Sequence, residues 1–131
     1  WNVVIFMHGM LRWWNNRIKR SFSASSHDQA FVDFLAHNDP LQSRYLYFDW
    51  VAAMFNAESE FHVANLCDVD IHMIQGTGDN TVDWRYNVKY IPVKFPQMRL
   101  YMIEGAGHQL VNESEEFIQP LFSLLDAILT S

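Results

Sequence analysis

Apolar positions follow two regimes along this chain. From Asp70 to Gln75 (D-I-H-M-I-Q) and again from Leu100 to Ile103 they are nearly continuous instead of alternating, as in strands covered on both faces of a parallel sheet. Elsewhere they recur every three or four residues, each set forming one face of a helix. The sets are Phe31, Phe34, Leu35; then Leu46, Trp50, Ala53, Met54, Ala57, Phe61; then Trp84, Val88, Ile91; and last Phe117, Leu121, Leu124, Leu125, Ile128. Polar punctuation supplies the boundaries. Ser26 is placed to cap a helix beginning near His27, and Asp39-Pro40 closes it, because proline disfavours helical geometry in the residue before it. Ser43 is placed to cap the longer helix. Pro92 marks the end of the third helix, with Asp83 in its first turn, whereas Pro120 lies early enough in the last helix to bend it without destroying it. Strand, helix, strand predicts a right-handed βαβ crossover.

Residues 1–20, W-N-V-V-I-F-M-H-G-M-L-R-W-W-N-N-R-I-K-R, admit two readings. Val3 to Phe6 is β-branched and then aromatic and runs into His8-Gly9, which suits a strand followed by a loop. Trp13 and Trp14 set against an Arg/Lys cluster suit an aromatic-rich amphipathic helix, the reading preferred here. Short apolar runs do not separate the two by periodicity.

Composition narrows the class. Half of the 131 residues are apolar and 15% aromatic, enough for one globular core. The net charge of −6 is uneven: Arg12, Arg17, Lys19 and Arg20 stand in residues 1–27, and all 15 acidic residues follow them. An acidic body argues against general nucleic-acid binding, while the basic, aromatic N-terminal segment suits contact with an anionic membrane surface. The single cysteine, Cys67, excludes an intrachain disulfide and offers no metal-ligand spacing. The first apolar run is broken by Arg12 and too short to span a bilayer, and its positive charge follows the apolar part, the wrong order for a secretory signal. The expected setting is cytoplasmic, at most peripheral to the inner face of a membrane. The chain opens on Trp1, so a larger parent chain is one expectation.

Both apolar runs stop in a Gly-containing turn and leave one ionisable side chain just beyond: Asp79 in G-T-G-D-N and His108 in G-A-G-H. In an open parallel sheet, functional groups collect beyond the carboxyl ends of the strands. A carboxylate there can hold one imidazole nitrogen protonated, leaving the other to move a proton. A lone Asp in such a turn also serves as a cap, and a lone His as a satisfied loop residue. The remaining histidines, His8, His27, His37, His62 and His72, lack zinc spacing, and His72 lies in an apolar strand where a hydrogen-bonded imidazole is expected. The two Gly-x-Gly occurrences are too short for a dinucleotide fingerprint.

Taken with their helices, I-H-M-I-Q-G-T-G-D-N and R-L-Y-M-I-E-G-A-G-H-Q-L-V-N-E resemble the C-terminal part of an α/β-hydrolase of the lysophospholipase and monoglyceride-lipase type. There, strand, Gly-x-x-Asp, helix, strand, Gly-x-Gly-His and helix carry the last two members of a Ser…Asp…His triad. The run S-S-H-D-Q-A-F-V-D-F-L-A-H-N-D-P-L-Q-S is similar to the segment returning from cap to core in that group, His27-Asp28 and Asp39-Pro40 match its structural features, and Asn112-Glu113 continues the His108 motif as in that group. The resemblance covers residues 21–130 and puts residues 1–20 in the cap or its approach; the strand reading of residues 3–9 corresponds to the family's His-Gly oxyanion loop.

What the resemblance implies is an α/β chain forming a single partial domain. Residues 1–66 are cap-like and connecting helices, and residues 67–131 are the C-terminal βαβα unit of a partial α/β-hydrolase fold. Asp79 and His108 become the triad acid and base of a carboxylic-ester hydrolase acting on acylglycerol or lysophospholipid, needing neither metal nor organic cofactor. The nucleophile is missing: an elbow needs small residues two positions either side of Ser, and no serine here lies between two glycines. Cys67, flanked at those positions by Asn65 and Val69, does not replace it. In the family the elbow precedes the cap, so it is expected in sequence before Trp1. The alternative is an inactive remnant that binds lipid or a partner protein, self-associating through the exposed edge of a two-stranded sheet.

Overall fold

The computed structural model describes residues 16–20 and 25–130. The two readings of residues 1–15 lie outside that range, as do residues 21–24. The described elements are β1 (Arg17–Lys19), α1 (Gln29–His37), β2 (Tyr45–Tyr47), α2 (Phe48–Val63), β3 (His72–Gly76), α3 (Trp84–Lys94), β4 (Arg99–Ile103), a single 3-10 turn (Leu110–Asn112) and α4 (Glu115–Leu129). They fall in two compact units, Trp1–Ser21 with Pro40–Ala64, and Phe22–Asp39 with Asn65–Ser131. The segment carrying α1 therefore belongs to the same unit as β3, α3, β4 and α4.

In the first unit β1 pairs antiparallel with β2, with Ile18 opposite Leu46. The end of the basic N-terminal segment is thus strand, not helix: the β-branched Ile18 has a partner, and the Arg17 guanidinium lies 4.1 Å from the centre of the Tyr45 ring. Leu46 is also strand, so the long helix starts at Phe48, later than its apolar spacing suggests. Ser43 does not cap it. Its hydroxyl donates to the Tyr45 carbonyl at 2.7 Å, a local turn contact that competes with helix nucleation. No residue of α2 is buried, and Trp50 and Met54 on its expected inner stripe remain more than half exposed.

The second unit is built on β3 and β4, which run parallel with His72 opposite Arg99 and Gly76 opposite Ile103. α3 connects them. Asp83 stands just outside its first turn as the N-cap, accepting from the Tyr86 N–H at 3.1 Å, and Pro92 sits inside it instead of ending it. The helix runs on to Lys94, and the Phe95 N–H still donates to the Ile91 carbonyl. Asp28, not Ser26, caps α1 by accepting from the Phe31 N–H.

The core is small: Ile103, Ala106 and Leu121 are buried, with Ile74, Leu110, Phe117 and Leu125 packed on them. Thus α4 buries the expected stripe against one face of β4. The other face is less covered than its continuous apolar run suggests, since Leu100 and Met102 are 39% and 42% exposed. No helix among the described residues is long and apolar enough to cross a membrane.

Candidate active site

Because Gly76 is paired with Ile103, both strands end at the same level, and the two loops that follow leave the same edge of the sheet. Backbone hydrogen bonds then stitch loop to loop. The Thr77 N–H donates to the Ile103 carbonyl at 3.1 Å and the Gly78 N–H to the Ala106 carbonyl at 2.9 Å, while the Gly105 N–H donates to the Thr77 hydroxyl at 2.8 Å. Contact this close requires glycine: a Cβ on Gly78 would run into the Gly105 carbonyl oxygen.

Asp79 and His108 meet across this seam. The His108 Nδ1 lies 2.9 Å from Asp79 Oδ2, with the Asp79 side chain 3% and the His108 side chain 33% exposed. Toward an ionised carboxylate Nδ1 acts as donor, which leaves Nε2 as the basic nitrogen. The two carboxylate oxygens divide their partners. Oδ1 accepts from the Thr81 N–H at 2.8 Å and the Val82 N–H at 3.1 Å, an Asx-type turn that fixes the carboxylate plane. Oδ2 takes His108 together with the Gln75 side-chain amide at 3.3 Å. Burial would raise the Asp79 carboxyl, but the His108 hydrogen bond, the two backbone amides and attraction to the imidazole outweigh it and hold it below its ordinary value.

Gln75 was not visible as a site residue in the sequence. It reads there as the polar end of an apolar strand, and only its side-chain reach back to Asp79 and to the Gly76 carbonyl reveals its role. Glu113 and His27 form a second carboxylate–imidazole pair, with His27 Nδ1 3.1 Å from both Glu113 oxygens. Glu113 also accepts from the N–H groups of His27 at 2.7 Å, Gly107 at 2.6 Å and Ser114 at 3.2 Å. The resemblance includes His27-Asp28 as a structural feature and Asn112-Glu113 as the continuation of the His108 motif, without showing that they touch.

The other histidines are occupied elsewhere. His72 Nδ1 lies 3.1 Å from the Tyr101 hydroxyl, with the two rings stacked, and His37 Nδ1 faces the Asp33 carbonyl at 3.1 Å. Among the described residues no group of His, Cys, Asp and Glu is arranged to hold a metal ion. His8 lies outside them.

No protein-family model matches this chain, and no curated protein matches it in sequence. Solved structures do match. Monoacylglycerol lipase from Paleococcus ferrophilus is similar with a TM-score of 0.74 and 13% identity, over 98% of this chain and 52% of that one. A soluble variant of monoglyceride lipase from Saccharomyces cerevisiae, in complex with a substrate analog, is similar with a TM-score of 0.69 and 18% identity, over 95% of this chain and 47% of that one. The chain spans about half the length of each. At such identities the likeness speaks to architecture and not to chemistry: this chain has a mixed α/β fold that matches part of the α/β-hydrolase fold of those two lipases.

Proposed function

We propose that this chain is the acid-and-base portion of a serine ester hydrolase that acts on a lipid ester such as an acylglycerol or lysophospholipid. The observation that supports it is the 2.9 Å contact between a buried Asp79 and a partly exposed His108, on loops leaving one sheet edge. In this reading Asp79 keeps Nδ1 protonated and the ring oriented. Nε2 of His108 takes the proton of a serine hydroxyl as that oxygen attacks the ester carbonyl, then returns it to the departing alcohol; water repeats the cycle to release the acid. The serine and the oxyanion donors come from another part of the polypeptide. Residues 1–20, with their aromatic and basic side chains, are suited to meeting the lipid surface.

The test extends the reading frame upstream of Trp1 and expresses the longer chain. The expected result is fluorophosphonate labelling of a serine outside residues 1–131, ester hydrolysis, and loss of both in His108→Ala, with the 131-residue chain unreactive alone. Labelling of a serine within residues 1–131, or undiminished turnover in the His108→Ala chain, would overturn the proposal. The exposed Trp50 and Met54 of α2 favour a second reading, a binding module for lipid or protein. It predicts vesicle or partner binding with no turnover in any extended chain.

A further inference from the structure

Glu113 is the most deeply buried charged side chain among the described residues, at 1% exposure, and the proposed chemistry gives it no task. A buried carboxylate is costly unless donors surround it, so its neighbours indicate what its position serves. Oε1 accepts from the Gly107 N–H, on the residue before His108. Oε2 accepts from the His27 and Ser114 N–H groups and lies 3.4 Å from the Ser26 hydroxyl, which itself donates to the Asn112 carbonyl at 2.6 Å. On the other side of His108, the Gln109 N–H donates to the Ser25 carbonyl at 2.9 Å. The backbone is therefore anchored immediately before and immediately after the imidazole, both times to residues 25–27 or to the carboxylate that binds them.

We propose that Glu113, held in place by His27, is a positioning residue that fixes the His108 backbone so that its ring meets Asp79 in one orientation. With both flanking amides tied, His108 retains only its side-chain torsions, and the Asp79 bond selects among those. The carboxylate is suited to this because both of its oxygens only accept; an amide would turn an N–H₂ toward one of the backbone donors and lose that anchor. Space enforces the same arrangement, since a Cβ on Gly107 would stand 2.5 Å from Glu113 Oε1. Burial would raise the Glu113 carboxyl, yet the amides of His27, Gly107 and Ser114 and the His27 ring keep it below its ordinary value, so it stays an acceptor at neutral pH. The catalytic consequence rests on reading His108 as the proton carrier, whereas the positioning itself is testable in the 131-residue chain.

The readout is the His108 ring proton, followed by NMR as a downfield imidazole N–H resonance, alongside thermal melting. In the unmodified chain that resonance is expected and should vanish in Asp79→Asn; its absence from the unmodified chain would overturn the acid-and-base reading itself, and this proposal with it. Where it is present, Glu113→Gln and His27→Ala are expected to speed its exchange with water roughly tenfold, the effect of about one lost hydrogen bond. His27 is half exposed, so its replacement leaves the fold intact even if Glu113→Gln does not fold. An unchanged resonance and exchange rate in folded His27→Ala, with Glu113→Gln unchanged likewise or merely less stable, would reduce Glu113 to a structural residue and overturn the proposal.

Discussion

Asp79–His108 and Glu113–His27 use the same two functional groups to different ends. In the first pair one carboxylate oxygen carries both backbone bonds and the other faces the imidazole, so the carboxylate holds a side chain. In the second, both oxygens are tied to backbone amides and the imidazole sits equidistant from them, so the carboxylate holds chain segments far apart in sequence. Exposure follows the same division. His108 is one third exposed beside a nearly buried acid, which suits the proton carrier proposed for it, while His27 lies half exposed on the outside of a fully buried clasp. A carboxylate–imidazole contact alone therefore does not distinguish the two pairs; the distribution of the remaining lone pairs does.

The comparison breaks most completely where the loops themselves are forced apart. Gly78→Val drives a side chain into the Gly105 carbonyl, and a loss of more than about 3 kcal/mol is expected from urea unfolding, together with the Asp79–His108 contact. Next comes Glu113→Ala, which strands buried backbone donors and should cost about 3 kcal/mol, more than Asp79→Ala in the same assay. The order should reverse for catalysis. In a chain that also carries the nucleophile, Asp79→Asn is expected to lower kcat by about 10³- to 10⁴-fold with little change in KM. An equal stability cost for the two acids would erase the distinction between them.

Acid acts on both pairs in the same direction. Both carboxyls lie below their ordinary values in the folded chain, so the unfolded chain takes up protons first as pH falls. Their contribution to stability is fully present at neutral pH and down to the ordinary carboxylate range. It is lost below about pH 4, as pH passes through the lowered folded values. Melting temperatures of Asp79→Asn and Glu113→Gln should accordingly vary less between pH 5 and the acid limit than that of the unmodified chain. The smallest effect expected is from His27→Gln. Its ring is half exposed, so about 0.5 to 1 kcal/mol is anticipated from urea unfolding.

Much of the second unit was legible in the residues. The continuous runs at Asp70–Gln75 and Leu100–Ile103 became parallel strands, and Phe117, Leu121 and Leu125 became the packed stripe of α4. The first unit was less legible. The spacing of Leu46, Trp50 and Met54 reads as a buried helical face, but Leu46 pairs with Ile18 in a strand, where pairing with β1 overrides local periodicity, and the other two remain exposed. Pro92 misled for a related reason. Near a helix end a missing N–H costs one bond, which the tertiary setting of α3 tolerates.

The sequence alone determined the two strand-loop units, the aspartate at residue 79 and the histidine at residue 108 that are proposed as acid and base, and the glycines that let their loops approach, since each is written in adjacent residues. Only the tertiary structure decided that these groups touch. It did so through the register that sets Gly76 against Ile103, through Gln75 turning back on Asp79, and through Glu113 binding residues 86 positions earlier in the chain. Local pattern records which side chains lie near one another along the chain. Contacts closed over such separations are fixed by how strands and loops pack, and a one-residue change in register would have parted the same acid and base.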